Sequence, residues 1–276
     1  MPNRRFLNLI VLSSAVVGVR VAALQENTQT PAAEKPAAPA SPDAVRIDEI
    51  LTRLQARSDG LKDIRCNVRF VEDDQINLAR RTKTGRVLFQ MTDPNPLFMI
   101  HFASTEMDGV AGKREWYLFD GQWLHQAIER TAQVTKQELA RPGDKLDFFD
   151  LEKAPFPLPF GQKKESILRN FDVVLAPPAA GDPPETDHLV CIPKPDSRLY
   201  RNYQRIEFFV NRIVNLPSRI VVTKSDGMEI NTADFPDLNP ASINVGLKPG
   251  DFDKPAEWKN YKEVVEELLE PAKRQE

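Results

Sequence analysis

The sequence predicts a mainly β fold with helices, in which about 11 strands form one large, curved antiparallel sheet. Three observations support this prediction: many short runs alternate apolar and polar residues, turn residues separate them, and few segments show helical spacing. The chain has 276 residues, of which 41% are hydrophobic, so it can bury a substantial core. No repeat of 20 to 50 residues is present, which argues against propellers and solenoids.

The N-terminus has the pattern of a secretory signal peptide. Arg4 and Arg5 precede a mostly apolar run from residue 6 to 19, and small residues follow up to Ala23. The run falls short of the roughly 20 residues that a membrane-spanning helix needs. We therefore expect residues 1–23 to be removed, leaving a soluble exported protein, periplasmic in a bacterium with two membranes. The 37 basic and 40 acidic side chains give no excess of positive charge for nucleic acid.

A flexible spacer and then a helix should follow the signal peptide. Residues 24–43 are rich in Pro and Ala and too poor in large apolar groups to order themselves, which indicates a spacer. From about residue 43 to 58, apolar residues recur at helical spacing behind Ser41 and Pro42, which are typical of a helix start. We expect a domain over 44–255 that begins with this amphipathic helix.

The strand signal starts at Ile64, where Ile64, Cys66, Val68 and Phe70 alternate with polar residues. This period of two is typical of a strand with one buried face. Another clear signal is Asp120-Gly121 between two apolar runs, which predicts a hairpin. Beyond the first strand we expect strands at 83–91, 97–104, 114–119, 122–128, 130–137, 171–176, 187–193, 203–212, 217–224 and 228–235.

Two segments interrupt or end the strand pattern. Residues 146–170 place several Phe and Leu side chains among prolines and then a short helix-like run from Gln162, which indicates a plug or lid. Residues 256–276 place Trp258, Tyr261 and Val265 at helical spacing. We expect a C-terminal amphipathic helix there, docked on the domain rather than free to bind a partner.

No catalytic or metal-binding constellation stands out in the sequence, so we expect a protein without enzymatic activity, metal or cofactor. His101, His125 and His188 are scattered over probable strands without partners at metal-ligand spacing. Asp147, Asp150 and Glu152 are close in sequence but have the look of solvated charges. Cys66 and Cys191 are compatible either with a disulfide in an oxidising compartment or with two separate buried thiols.

The order of several motifs resembles the outer-membrane lipoprotein carrier family, the LolA-like proteins. The motifs are the strand 85–89, the turn Asn95-Pro96, the hairpin at Asp120-Gly121 with a trailing Gln133-Val134, and Cys191-Ile192-Pro193-Lys194. The resemblance implies an incompletely closed antiparallel β-barrel capped by helices. In that family an Arg precedes the proline that ends the second strand and locks the lid; here Asp93 precedes Pro94.

This resemblance implies a monomeric carrier that shields the acyl chains of lipids or lipoproteins in an apolar cavity. The alternative, from another class, is an envelope sensory or interaction module whose barrel binds a partner protein. Alternation and resemblance together predict ten ligand-binding residues, in the cavity wall and the lid: Phe70, Leu88, Ile100, Trp116, Leu118, Trp123, Phe148, Phe149, Phe160 and Phe208.

Overall fold

The computed structural model describes residues 41–146, 160–161 and 163–268. The predicted signal peptide, nearly all of the predicted spacer, Phe148 and Phe149 lie outside these residues. Within them, the helices are α1 (Pro42–Asp59) and α2 (Lys164–Asn170), besides short 3-10 turns. The strands are β1 (Asp63–Asp74), β2 (Ala79–Gln90), β3 (Leu97–Met107), β4 (Val110–Ala111), β5 (Glu115–Phe119), β6 (Trp123–Ile128), β7 (Gln133–Glu138), β8 (Phe171–Ala176), β9 (Thr186–Pro193), β10 (Tyr203–Asn211), β11 (Pro217–Lys224), β12 (Glu229–Asp234) and β13 (Lys262–Glu266).

All described strands belong to one sheet of 13 strands. Their order is β13-β7-β6-β5-β3-β2-β1-β12-β11-β10-β9-β8, with β4 paired to β3. Neighbours are antiparallel, except that β13 runs parallel to β7. Because β8 and β13 stand at opposite ends of this order without pairing, the sheet remains open. The predicted mainly β, incompletely closed architecture is therefore confirmed, and each of the 11 expected strands is present.

The first helix forms where the sequence predicts it. The Ser41 hydroxyl accepts a hydrogen bond from the Ala44 amide, and Pro42 occupies the first turn, so the helix starts two residues inside the predicted spacer. Ile50, Leu51 and Leu54 are buried on one side of α1. Their burial attaches the helix to the sheet and is worth about 1.5–3 kcal/mol for each side chain.

The two faces of the sheet are buried under different parts of the chain. The helix-covered face packs under α1 and α2 and includes Phe70, Phe102 and Phe208. The opposite face is buried only locally, by a segment we call the C-terminal strap, residues 247–266. No helix within the described residues has the length and apolar character required to cross a bilayer.

The prediction of a C-terminal helix is wrong for the part that the structure describes. Ala256–Asn260 forms a 3-10 turn, and the residues after Tyr261 form β13. The apolar spacing that suggested a helix has another cause. Trp258 is buried on the opposite face, whereas Val265 is 47% exposed. The β-branched pair Val264-Val265 suits a strand, and the free edge of β7 supplies its hydrogen-bond partners.

Candidate functional site

Of the two buried apolar clusters in the described residues, the one on the helix-covered face is the larger. Alternate side chains from β1, β2, β3 and β5 and from β9 to β11 point to it, because successive side chains of a strand face opposite sides. Its aromatic contacts include Phe70 with Phe102, at 6.2 Å between ring centroids, and Phe98 with Phe119, at 5.8 Å. Such a surface can hold an acyl chain through contact area alone, at about 0.8 kcal/mol per methylene.

The cover of this face consists of α1, α2 and Phe160. Phe160 is 1% exposed, and its ring lies 5.1 Å from that of Phe235. Ile167 of α2 is also fully buried in the same cluster. The two helices are tied by Lys164, whose amide donates to the Gln55 side chain at 3.0 Å and whose ammonium donates to the Thr52 hydroxyl at 3.0 Å. The cover is thus a small helical layer with polar links along its outer side.

A single carboxylate clamps α1 to the sheet. Asp187, at the start of β9, is 5% exposed. It lies 3.3 Å from the guanidinium of Arg53, 3.6 Å from that of Arg46, both on α1, and 2.9 Å from that of Arg212, just after β10. Arg57 of α1 adds a hydrogen bond of 2.9 Å to the Val214 carbonyl. These contacts are polar and reversible, as a cover that opens would need.

Asp93, the residue that the sequence resemblance singled out, makes no strong contact in the described part of the chain. Its side chain is 88% exposed and lies 3.4 Å from the ammonium of Lys145, a side chain that is 75% exposed. An ion pair this exposed contributes little to stability. In the described residues, the clamp on the cover is therefore Asp187, a residue that no sequence pattern singles out.

The ten predicted ligand-binding residues divide between the two faces. Four of them belong to or pack against the helix-covered cluster: Phe70, Ile100, Phe160 and Phe208. Another three, contrary to the expectation of one shared cavity, pack on the opposite face: Leu88, Trp116 and Leu118. Trp123 also faces that side, because it alternates with Leu124 of the helix-covered cluster, and its ring lies 4.2 Å from the Lys136 ammonium. Phe148 and Phe149 lie outside the described residues.

The reason for this division is that the middle strands are apolar on both faces. Residues 115–119 are buried without interruption, so alternation cannot show which side chains face the helices. The C-terminal strap covers the other side: the Trp258 ring meets the Trp116 ring edge-on at 6.2 Å, and Phe252 and Leu247 join the same cluster. Leu88, Trp116 and Leu118 are therefore shielded by the chain itself.

At one end, the helix-covered face turns from apolar to polar. Lys83 is 1% exposed, and its ammonium lies 3.0 Å from the carboxylate of Glu115 and 3.7 Å from that of Glu72. The Tyr117 hydroxyl donates to Glu115 at 3.4 Å, and burial, followed by the Glu115 charge, raises the pKa of Tyr117 well above its ordinary value. We call Lys83, Thr105, Glu115 and Tyr117 the polar end. Sequence reasoning missed it, although Lys83 has the same parity in β2 as Val87.

The three histidines make separate local contacts. His125 lies 2.9 Å from the Asp120 carboxylate, His188 lies 2.8 Å from that of Glu207, and the His101 ring stacks on Trp116 at 5.0 Å. Burial, then Arg114, lowers the pKa of His101. No group of three His, Cys, Asp or Glu side chains suited to a metal occurs in the described part of the chain.

The two cysteines are free and buried. Cys66 lies in β1 and Cys191 in β9, with β12, β11 and β10 between them. Four strand spacings of about 4.8 Å therefore separate them along the sheet, and neither forms a disulfide. The sequence is compatible with a disulfide or with two separate thiols, and the structure contains two separate thiols.

We expect both thiols to be almost unreactive in the folded protein. Burial, with a smaller contribution from Asp237, raises the pKa of Cys66 to about 12, and burial raises that of Cys191 further. A raised pKa keeps the thiol neutral at about pH 8, and the thiolate is the reactive form. Titration with an aromatic disulfide reagent should find two thiols in denaturant and slow reaction without it. Fast native reaction, or no thiols in denaturant, would contradict this assignment.

Comparison with known proteins finds similar structures but no matching sequence. No protein-family model and no curated protein matches the sequence. The structure is similar to that of a LolA superfamily protein from Nitrosomonas europaea, with 13% identity over 75% of this chain and 97% of that chain and a TM-score of 0.36. It is also similar to LprF from Mycobacterium bovis, with 10% identity over 77% and 98% and a TM-score of 0.42.

A third similar structure is the MucA/MucB complex from Pseudomonas aeruginosa, with 13% identity and a TM-score of 0.43. The match covers 77% of this chain but only 62% of that chain. Proteins of the LolA superfamily, which the sequence motifs resemble, are thus among those to which this structure is similar. What this chain binds has to be inferred from its own residues.

Proposed function

We propose that this protein is an exported, monomeric, non-enzymatic carrier that shields the acyl chains of lipids or lipoproteins on the helix-covered face of its sheet. The observation that supports the proposal most strongly is the combination of an extended apolar face with a separate helical cover. The open sheet order leaves that face without strand closure. Release would follow movement of α1 and α2 away from the sheet, once the contacts at Asp187 break.

Ile100 is the side chain that best tests this proposal. It lies in β3, packs against the helix-covered cluster and is only half-buried. Its exposure means that a polar replacement should disturb the fold less than one at Phe70 or Phe208 would. Leu97, in the same strand, is also half-buried but packs on the opposite face. The two positions therefore form a matched pair that differs in the face of the sheet.

The experiment is lipid extraction and native mass spectrometry of residues 24–276, purified under mild conditions after export. We expect a stoichiometric acyl species in the unaltered protein and in Leu97→Asn. Ile100→Asn should bind an acyl probe about tenfold more weakly, because an amide in an apolar contact costs about 1–3 kcal/mol. Equal loss in both variants would indicate damage to the fold. An empty protein that also rejects added lipids would overturn the proposal.

The alternative function, an envelope module that binds a partner protein, draws on a different feature. The strand β13 is an edge strand in the described part of the sheet, and four of its five residues are exposed. Exposed edges can accept a strand from another chain. An empty protein in the extraction experiment would favour this function over the carrier.

A further inference from the structure

The polar end of the helix-covered face borders a groove. The proposed function does not involve the residues that line this groove. The groove, which we call the rim groove, has a volume of about 570 Å³. It lies beside β3 and β4 and the ends of β2 and β6, with Thr105 and Glu115 of the polar end in its lining. A groove of this size suits a small ligand or one part of a larger one.

Thr105 is the observation that points to a ligand. The residue is 8% exposed, and its hydroxyl is buried without a hydrogen-bond partner among the described residues. The turn after β4 packs tightly on it: a Cβ on Gly112 would come within 3.2 Å of the Thr105 Cβ. A buried hydroxyl without a partner costs free energy, so a fold gains nothing from keeping it unless something else binds there.

The charges around the groove favour an anion. Arg81, Lys113 and Arg130 line it, together with the carboxylates of Asp108 and Glu115. The Glu115 carboxylate is matched by the buried Lys83 at 3.0 Å, and the Arg81 guanidinium is matched by Glu72 at 3.3 Å, so these charges are already balanced. The remaining lining groups carry more positive than negative charge. Lys113 and Arg130 are exposed and can reach toward a bound group.

The groove also lies next to the apolar surface, with Lys83 between the two. Lys83 is paired across the sheet with Phe70 on one side and Thr105 on the other, so all three side chains share the helix-covered face. The Lys83 ammonium lies 5.5 Å from the centre of the Phe102 ring, and Phe102 is fully buried in the helix-covered cluster. A molecule with an apolar part on that face could therefore place its polar end in the rim groove.

We infer that the rim groove binds the phosphate-bearing headgroup of a phospholipid whose acyl chains lie on the helix-covered face. This inference rests on the proposed carrier function and narrows its cargo from acyl chains in general to anionic phospholipids. The phosphate would accept hydrogen bonds from the Thr105 hydroxyl and from Lys113 and Arg130. Charge-assisted bonds of this kind are about twice as strong as neutral ones.

The test compares phosphatidylglycerol with diacylglycerol that carries the same acyl chains, in competition for the protein in detergent by native mass spectrometry. We expect a preference of about tenfold or more for phosphatidylglycerol. The variant Lys113→Glu/Arg130→Glu should abolish that preference, and Thr105→Val should reduce it. The control Arg201→Glu/Lys259→Glu makes the same change in net charge at exposed positions elsewhere and should keep it.

A second readout separates a binding role of Thr105 from a structural one. Because valine has the same shape without the unpaired hydroxyl, the melting temperature of lipid-free Thr105→Val should equal or exceed that of the unaltered protein. A fall in melting temperature would assign the hydroxyl to the fold and overturn its role here. Equal binding of the two lipids would overturn the headgroup site and leave the carrier intact, whereas binding of neither would overturn both. Full competition by glycerol phosphate alone would mark a site for a soluble anion instead.

Discussion

Replacing Gly85 with alanine should prevent the chain from folding stably. A Cβ at this position would come within 1.9 Å of the His101 carbonyl oxygen and 2.8 Å of the Phe102 Cα, and both are backbone atoms. The close approach arises because the pairing of β2 with β3 shifts register between Thr84 and Gly85. The two strands would have to separate in the middle of the sheet, which should cost roughly 4 kcal/mol or more. Many domains have little more than that in total.

The matched control is Gly60→Ala. Gly60 follows α1 with a φ of −90°, and a Cβ there would meet the chain only at ordinary distances of 3.7 and 3.8 Å. Urea unfolding should therefore place Gly60→Ala within about 0.5 kcal/mol of the unaltered protein. The Gly85 variant should be insoluble or unfold at far lower urea. Similar midpoints for both variants would show that β2 and β3 can separate at little cost.

Local pattern was sufficient to predict most of this fold. The strand β1, for example, exists where expected because its alternation reflects burial on one face, at Ile64, Cys66 and Val68, which are all at most 5% exposed. The helix α1 is equally predictable from Ser41, Pro42 and the apolar residues on one side of it. These patterns involve only a few neighbouring residues, so they predict strands and helices without knowledge of the tertiary structure.

What could not be predicted depends on contacts between distant parts of the chain. The sequence pattern predicts Trp116 in the cavity, because nothing in its strand reveals that Trp258, more than 100 residues later, covers the opposite face. The sequence predicts a helix where β13 forms, because the free edge of β7, which makes this segment a strand, is distant in the sequence. The burial of Lys83 is unpredictable for the same reason. A lysine in a strand is usually exposed, and burying this one requires Glu115 from another strand.

Replacing Asp187 with asparagine should loosen α1 selectively. Asp187 is nearly buried, and the change leaves Arg53, Arg46 and Arg212 close together without their shared anion. Removing one partner of a fully buried ion pair costs about 3–5 kcal/mol. Because the three arginines are about half exposed, we expect about 2 kcal/mol. If this amount is lost from the free energy of opening α1, hydrogen exchange of the α1 amides becomes about 30-fold faster.

The control for this prediction is Asp234→Asn. Asp234 also balances two arginines, at 3.5 Å from Arg69 and within hydrogen-bond distance of Arg219, but those contacts join strands and not the helix. The Asp234→Asn variant should have a lower stability, without a selective effect on residues 42–59 in hydrogen–deuterium exchange.

If the carrier proposal holds, Asp187→Asn should also speed the uptake and the release of an acyl probe together, because the cover opens more often while the apolar face is unchanged. Faster exchange of α1 with unaltered probe kinetics would mean that α1 is not the gate.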